Sequence, residues 1–390
     1  MSTNSIDPLP IHDSNIFFKN YWDIIGGIFF AFLAYLFHID HTIYFSTLFA
    51  AISIALLSVT VSEIAEILAD RLEEPYGSFV LTFSAVIVEI ILLFMILLEV
   101  ANAPQAMETV KGGIISAVIV DMNVLLGLAV FIGGLSFKEQ EHNEDTSSTY
   151  TTILLVTAAA LLVPSILKHT TNSETDLIHA SVIISVVLLL FYIVIYIFQT
   201  RTHSHFFKST ARSRLFRMKQ RNSENNDEEQ TFEESYIFEK FSTATNFAVI
   251  FSLIAMIGLT AEVFAIDGLL VFSELGLSAG LTGLIIAIIS VSPEIFTAIK
   301  AAKNDQMQRV VNIAMGASTV SIMLTVPILM LLAYMNGITL TLDFNTLQVG
   351  ALILTIILAW KTTDDGETNY FEGLSHLMFF ICYAIIAAFY

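Results

Sequence analysis

The stretch VLTFSAVIVEIILLFMILL, residues 80–98, decides the fold, because its length and apolar character are those of a membrane-spanning helix. A second stretch of this kind, GLIIAIISVSPEIFTAI, occupies residues 283–299. Each contains one carboxylate near its middle, Glu89 in the first and Glu294 in the second. A charged side chain at the bilayer centre costs roughly 2.5–3.5 kcal/mol on insertion scales, so such residues are rare and usually line a pathway. Two of them, one in each half of the chain, predict a shared cation site.

The composition predicts an all-α integral membrane protein. Hydrophobic residues make up 55% of the chain and charged residues 14%, and the mean hydropathy is +0.75. The net charge of −19 and only 17 basic residues argue against nucleic-acid partners. The single cysteine, Cys382, excludes an intramolecular disulfide or a thiolate metal cluster. No H-E-x-x-H motif and no intramembrane Ser–His pairing is present, so an enzyme is not expected, nor is a bound cofactor.

Apolar runs long enough to cross a hydrocarbon core of about 30 Å predict eleven transmembrane helices. They lie near residues 21–38, 43–69, 78–99, 112–135, 150–168, 176–200, 243–264, 279–301, 307–334, 345–361 and 370–390.

The positions of lysine and arginine predict the orientation, since these residues favour the cytoplasmic side. Seven basic residues follow the sixth predicted helix, between Arg201 and Arg221, which places that loop in the cytoplasm. With eleven spans, the N-terminus is then cytoplasmic and the C-terminus lies outside. Fifteen of the 17 basic residues fall on the cytoplasmic side in this arrangement. The two exceptions are Lys111 and Lys168.

A long loop divides the chain into two halves. Residues 201–240 change from the basic RTHSHFFKSTARSRLFRMKQR to the acidic NSENNDEEQTFEES, a pattern typical of a solvated linker near anionic headgroups, with cation sensing by the acidic half as the alternative. The predicted organisation is an N-terminal segment with one extra helix (1–42), a first five-helix repeat (43–200), this loop (201–240) and a second five-helix repeat (241–390). Because five is odd, the two repeats enter the membrane from opposite sides, as in inverted-repeat transporters.

The repeat is also visible in the residues. SVTVSEIAEILADRL (58–72) precedes the helix with Glu89, and GLTAEVFAIDGLLVF (258–272) precedes the helix with Glu294. Each acidic helix is followed by one rich in small residues, GGIISAVIVDMNVLLG (112–127) and VNIAMGASTVSIMLTVP (311–327). Small residues allow helices to approach closely and leave oxygens accessible to an ion.

With these features the chain resembles the cation/calcium exchanger superfamily, and within it the bacterial calcium/proton antiporters, over about residues 43–390. In that family each repeat has an acidic residue four places after a Gly-Asn start, which corresponds to Glu89 and Glu294. Ala85-Val86 and Ser290-Val291 stand in place of the Gly-Asn pairs here. The resemblance implies a secondary transporter of the bacterial cytoplasmic membrane that exports Ca²⁺ from the cytoplasm in exchange for protons by alternating access.

The two glutamates suit such an exchange on chemical grounds alone. Ca²⁺ prefers 6–8 oxygen ligands, and two carboxylates supply up to four of them and balance its charge. Once the ion leaves, desolvation and mutual repulsion both favour protonation of the pair. Competition between one divalent cation and protons for the same carboxylates is sufficient for exchange, if the loaded states move between the two faces and the empty charged state does not.

Further ligands are predicted around this pair. Pro293 cannot donate to the carbonyl oxygen of Ile289, which would leave that oxygen free one turn before Glu294, although Pro293 could equally be an ordinary kink. Polar residues near the two glutamates or along the fourth and ninth predicted helices are also candidate ligands, with helix-packing hydrogen bonds as the alternative role. These residues are Ser292, Ser84, Asp121, Asn123, Ser318 and Asn312.

Four acids nearer the ends of the second and seventh helices are candidates for attracting cations or relaying protons, or else for capping helices. They are Glu63, Glu66, Glu262 and Asp267. Four histidines are interpreted as surface residues and not as metal ligands. They are His38, His41, His203 and His205.

Two other functions remain open from the sequence. The first is a Na⁺ or K⁺/proton antiporter of the same superfamily, since two glutamates also suit monovalent ions. The second is a cation channel, which would need no acid-bearing inverted repeats and usually builds its filter across subunits. The expected partners are therefore Ca²⁺ and H⁺, with Na⁺ or K⁺ as alternatives, and the lipid bilayer; the oligomeric state is left open.

Overall fold

The structure, a computed structural model, describes residues 14–72, 76–170, 173–207 and 237–389. These residues form eleven long helices. They are α1 (Ser14–Ile39), α2 (Ile43–Arg71), α3 (Tyr76–Leu98), α4 (Gln105–Ser136), α5 (Glu144–Thr170), α6 (Glu174–Thr202), α7 (Thr243–Glu274), α8 (Ala279–Lys303), α9 (Met307–Met335), α10 (Thr346–Thr363) and α11 (Tyr370–Phe389). A helical turn, Ile237–Lys240, precedes α7, and a 3₁₀ turn, Glu99–Ala101, follows α3. Two short antiparallel strands, β1 (Gln140–Glu141) and β2 (Glu367–Thr368), pair between α4 and α11.

The predicted all-α membrane fold is confirmed. Within the described residues, ten helices are long and apolar enough to cross a membrane, and the eleventh, α3, is a 23-residue helix that contains the apolar stretch around Glu89. The largest difference in helix ends is at α7, which was predicted to stop near residue 264 but continues to Glu274. The helix tolerates Asp267 because Ser46 and His38 both bond its carboxylate.

Helices α2 and α7 run antiparallel. Tyr44, near the start of α2, donates to Glu274 at the end of α7 over 2.8 Å, whereas Arg71 at the end of α2 donates to the carbonyl oxygen of Phe241, just before α7. The end of the bundle with Arg71 and Phe241 is called the loop end below, and the other the distal end. Five helices from α2 and five from α7 thus begin at opposite ends, as inverted repeats require.

The exact division into 1–42, 43–200, 201–240 and 241–390 stays a prediction. Residues 1–13 and 208–236, which include the acidic half of the loop, lie outside the described residues.

The third helix of each half contains a π-helical segment. It spans Asp121–Leu126 in α4 and Ser321–Thr325 in α9. A π turn holds one residue more than an α turn, so it shifts the side chains on either side of it relative to a straight helix. Asp121 and Ser321 each occupy the first position of their segment, whereas the sequence analysis names Ser318 and not Ser321 as a candidate in α9.

Helix α1 packs along α2. The hydroxyl of Ser53 donates to the carbonyl oxygen of Gly27 over 2.8 Å, and a Cβ atom at Gly27 would come within 2.6 Å of Leu57. Glycine therefore allows the two backbones to approach closely. A buried carboxylate, Asp23, accepts a 2.6 Å hydrogen bond from Thr60 in the same interface.

A cluster of charges lies at the distal end. Buried Asp343, in the loop before α10, accepts from Lys111 at 2.8 Å, from Lys168 at 2.5 Å and from Thr341 at 2.5 Å. Burial acts to raise the pKa of Asp343, but these three donors outweigh it and lower the pKa to about 2. Both lysines that the charge count left on the outer side are thus paired with one carboxylate from the second half of the chain.

Candidate cation site

A small cavity lies where α3, α4, α8 and α9 meet. Three carboxylates border it, those of Glu89, Asp121 and Glu294, with exposed fractions of 6%, 1% and 8%. The remaining lining consists of small or apolar side chains and two hydroxyls. These residues are Val86, Ser290, Val291, Ala317 and Ser321.

Two of the carboxylates accept a hydrogen bond from the opposite half of the chain. Ser321 donates to Oε2 of Glu89 over 2.6 Å, and Ser318 donates to Oδ2 of Asp121 over 3.0 Å. Each of the three carboxylates also keeps one buried oxygen with no hydrogen-bond partner among the described residues: Oε1 of Glu89, Oδ1 of Asp121 and Oε2 of Glu294. Buried carboxylate oxygens without partners are costly, which makes them candidate ligands for a cation or a proton.

The three carboxylates border the same cavity, so their charges would repel one another if all were ionised. In the described part of the chain, no group of three or more His, Cys, Asp or Glu side chains is arranged to hold a metal ion. A bound ion would therefore require these side chains to turn further into the cavity.

A larger cavity of about 290 Å³ adjoins the small one and extends toward the loop end. The two share Val86, Glu294 and Ala317 in their lining, so Glu294 faces both. Near the loop end the larger cavity is bordered by Glu66 of α2 and Arg309 of α9, which form an ion pair. A separate cavity of about 170 Å³ at the distal end shares no lining residue with either. The structure thus gives the carboxylates an approach from the loop end.

The predicted ligands differ in where they lie. Ser318 bonds Asp121, and Asn312 lines the larger cavity while donating to the carbonyl oxygen of Phe207. Ser292 donates to the carbonyl oxygen of Ile289 over 2.7 Å, so the oxygen that Pro293 was expected to leave free is already bonded. Ser84 is buried in α3 but borders neither cavity.

Asn123, predicted as a ligand, instead faces away from the carboxylates. Its amide nitrogen donates to Thr355 of α10 and to the carbonyl oxygen of Ile119, and its oxygen bonds His376 of α11. Since both the nitrogen and the oxygen of the amide are hydrogen-bonded, Asn123 links α4 to α10 and α11 on the side away from the carboxylates.

Sequence reasoning missed Ser290 and Ser321 as cavity residues. Ser290 enters the sequence analysis only in the Ser290-Val291 pair that replaces the family's Gly-Asn, and Ser321 is not among the predicted ligands. The signal that could have identified Ser321 is the π segment that begins there, but hydropathy does not show a one-residue shift in a helix that is apolar on most sides.

Of the four acids predicted near the helix ends, only Glu66 lines a described cavity, and it is already paired with Arg309. Glu63 and Glu262 are exposed on α2 and α7. Asp267 is buried and accepts from Ser46 and from His38, so it links α7 to α2 and α1 and does not line an open vestibule.

Of the four histidines interpreted as surface residues, His38 requires a correction. It lies in the last turn of α1, is half-buried, and its Nδ1 lies 2.9 Å from Asp267. The interpretation failed because Asp267 is 229 positions away along the chain and only the packing of α7 on α1 brings it near. His41 and His205 are exposed, and His203 stacks on Phe198 at 4.3 Å between ring centroids.

Comparison with known proteins places these features in context. The family model described as sodium/calcium exchanger protein matches residues 41–201 and 245–389. The sodium-potassium/proton antiporter ChaA of Escherichia coli is 27% identical over 86% of this chain and 87% of its own length. A Ca²⁺/H⁺ antiporter of Synechocystis is 26% identical over 75% of this chain and 77% of its own. The crystal structure of the Ca²⁺/H⁺ antiporter protein YfkE superposes with a TM-score of 0.75 at 19% identity, covering 95% of this chain and all of that one.

Proposed function

Because this chain belongs to the sodium/calcium exchanger family, we propose that it is a cation/proton antiporter that moves Ca²⁺ out of the cytoplasm in exchange for protons. The observation that carries this proposal is the set of three buried carboxylates around one cavity, each with a buried oxygen that no described residue bonds. Two antiporters of similar sequence exchange a cation for protons, one acting on Ca²⁺ and the other on Na⁺ and K⁺.

The carboxylates serve as ligands and as proton acceptors in turn. A Ca²⁺ ion in the small cavity would draw Glu89, Asp121 and Glu294 inward, and these three groups could provide up to six oxygens, with the hydroxyls of Ser290 and Ser321 nearby. When the ion leaves, the three charges repel one another in a medium that solvates them poorly, and protons bind in its place. Ion and protons therefore occupy the site alternately.

The cavities support access from one end at a time. The larger cavity leads from the loop end to Glu294, while the distal end is held by Asp343 and the two lysines bonded to it. A state with the opposite access would have to separate these distal groups and close the loop end around Glu66 and Arg309. A channel would instead need both ends connected at once.

The decisive experiment compares cations in reconstituted vesicles. Purified protein in proteoliposomes should move protons when Ca²⁺ is added on one side, and a parallel measurement with Na⁺ and with K⁺ determines the preference. Proton movement with Na⁺ or K⁺ but not with Ca²⁺ would replace the calcium proposal by the monovalent antiporter that the Escherichia coli relative exemplifies. Cation flux without any coupled proton movement would refute antiport.

The direction of transport depends on the orientation, for which we propose a cytoplasmic N-terminus and loop end in a bacterial cytoplasmic membrane, with the C-terminus outside. In a Cys382→Ser background, a cysteine introduced at Ser204 should react with an impermeant reagent only from the cytoplasm. A cysteine at Asn336, in the turn after α9 at the distal end, should react only from outside. The reverse pattern would overturn the orientation.

A further inference from the structure

His376 is a fully buried histidine that the exchange chemistry does not use. It lies in α11 with an exposed fraction of 0%. Its Nδ1 lies 3.0 Å from Oδ1 of Asn123 in the π segment of α4, and its Nε2 lies 3.1 Å from the hydroxyl oxygen of Thr362 in α10. One side chain therefore joins three helices behind the cation site.

The other hydrogen bonds of Asn123 determine which atom donates in its bond with His376. The amide nitrogen of Asn123 donates to Thr355 over 2.9 Å and to the carbonyl oxygen of Ile119 over 3.0 Å, so its oxygen is the acceptor toward His376. The ring must then donate from Nδ1, and in the neutral ring Nε2 accepts from Thr362. Both ring nitrogens meet neutral groups.

The packing around His376 is close. A Cβ atom added at Gly127 in α4 would lie 2.8 Å from Cβ of His376, and one added at Gly373 in α11 would lie 2.7 Å from the carbonyl oxygen of Gly127. The backbones of α4 and α11 thus nearly touch one turn from His376. This contact leaves little freedom for the ring, and the ring in turn fixes Asn123.

Asn123 is two residues from Asp121 within the same π segment. We propose that His376 is a positioning residue: through Asn123 and the carbonyl oxygen of Ile119 it holds this segment in the register that directs Asp121 into the cavity. The inference rests on the proposed role of Asp121 as a ligand. Groups that orient the ligands of a metal typically change its affinity by about 10–100-fold when they are removed.

Two substitutions test the contributions of the two ring nitrogens one at a time. His376→Asn keeps an amide nitrogen near the place of Nδ1 and can still donate to Asn123, whereas His376→Gln keeps one near the place of Nε2 and can reach only toward Thr362. In Ca²⁺-driven proton transport, His376→Asn should keep the KM for Ca²⁺ near that of the parent protein. His376→Gln and His376→Ala should raise that KM by about tenfold with a smaller change in kcat. His179→Gln, at an exposed position of α6, is the matched control.

A second readout does not depend on transport. Hydrogen exchange of the peptide that contains residues 121–126 should be faster in His376→Gln and His376→Ala, and restored in His376→Asn. If the parent protein transports none of the cations, the proposed function fails while this exchange pattern can still be measured. The positioning role is overturned if hydrogen exchange of residues 121–126 in all three variants matches that of the parent protein. It is also overturned if His376→Asn behaves like His376→Ala. It is also overturned if His376→Asn binds Ca²⁺ normally but loses proton coupling, since His376 would then carry a proton.

Discussion

The two five-helix halves carry an acid at the same point of their second helix but differ at the start of the π segment in their third. Helices α3 and α8 carry Glu89 and Glu294, whereas α4 has Asp121 where α9 has Ser321. Serines of the second half donate to both acids of the first half. Glu294 of the second half faces the cavity that leads to the loop end. A backbone repeated in both halves therefore holds an unsymmetrical candidate site, in which the first half supplies two of the three carboxylates.

The largest expected effect comes from the acids that the halves share. Glu89→Gln and Glu294→Gln should each abolish exchange, because glutamine keeps the volume and one carbonyl oxygen but removes both the charge that balances the cation and the group that accepts the proton. Insertion should be unharmed, since a neutral amide is cheaper in the bilayer than a carboxylate. Ca²⁺-driven proton movement in proteoliposomes should fall to the level of protein-free vesicles.

The control for this loss is Glu274→Gln, the same chemical change at an exposed acid at the distal end of α7. It should retain transport. Near-normal exchange in either central variant would mean that the shared carboxylate site is wrong.

The next effect concerns the acid that the halves do not share. Asp121→Ser makes α4 resemble α9 and should raise the KM for Ca²⁺ by about tenfold, equivalent to roughly 1.4 kcal/mol. Asp121→Asn can still accept from Ser318, and it should raise the KM for Ca²⁺ by a similar factor if the charge of Asp121 is what binds the ion. The double variant Asp121→Ser with Ser321→Asp moves the acid to the other half and should recover part of the affinity. An unchanged KM in Asp121→Ser would show that Asp121 is not a ligand.

Acid should weaken Ca²⁺ binding in the parent protein. Protons and Ca²⁺ compete for the same carboxylates, so the apparent affinity for Ca²⁺ should fall as the pH is lowered from about 8.5 to about 5.5. This range lies above the reference pKa values of carboxylic acids. In Asp121→Ser the dependence should be shallower, because one titrating group is gone. An affinity that does not vary over this range would argue against direct competition.

The smallest effects are expected outside the cavity of three carboxylates. Glu66→Gln removes the ion pair with Arg309 at the mouth of the larger cavity and should change the rate of transport by about threefold, as charges at the rim of a binding site affect mainly the rate of association. This change should shrink at high salt, because exposed charges are screened. Glu262→Gln, on an exposed face of α7, should change the rate of transport less. Complete loss of transport in Glu66→Gln would place that acid within the site itself.

Much of the fold follows from features that act locally along the chain. A segment that crosses lipid must form its backbone hydrogen bonds within itself, so a long apolar run predicts a helix. The apolar runs predict all eleven long helices of the described residues, including the one that contains Glu89. The two glutamates could be paired because the repeated pattern of an acidic helix followed by a small-residue helix implies a common site. Neither inference needs to know how the helices pack.

What the sequence did not reveal depends on packing over long separations. The hydrogen bond between His38 and Asp267 and the network from Asn123 to His376 join residues more than 220 positions apart. Asp23 was not singled out, because nothing in its own segment indicates that Thr60 would bond it. The π segments add one residue to a turn without changing the apolar pattern, so hydropathy does not place Ser321 at the start of the segment in α9.

As an ionised ligand, Asp121 would also make the proposed exchanger respond to membrane voltage. Two ionised glutamates and one Ca²⁺ are neutral together, whereas a third ionised carboxylate leaves the loaded site with one negative charge. Moving one elementary charge through 100 mV changes the free energy by about 2.3 kcal/mol. A membrane that is negative inside would therefore drive the calcium-loaded site outward. Serine at the same place, as in α9, would leave that step electrically silent.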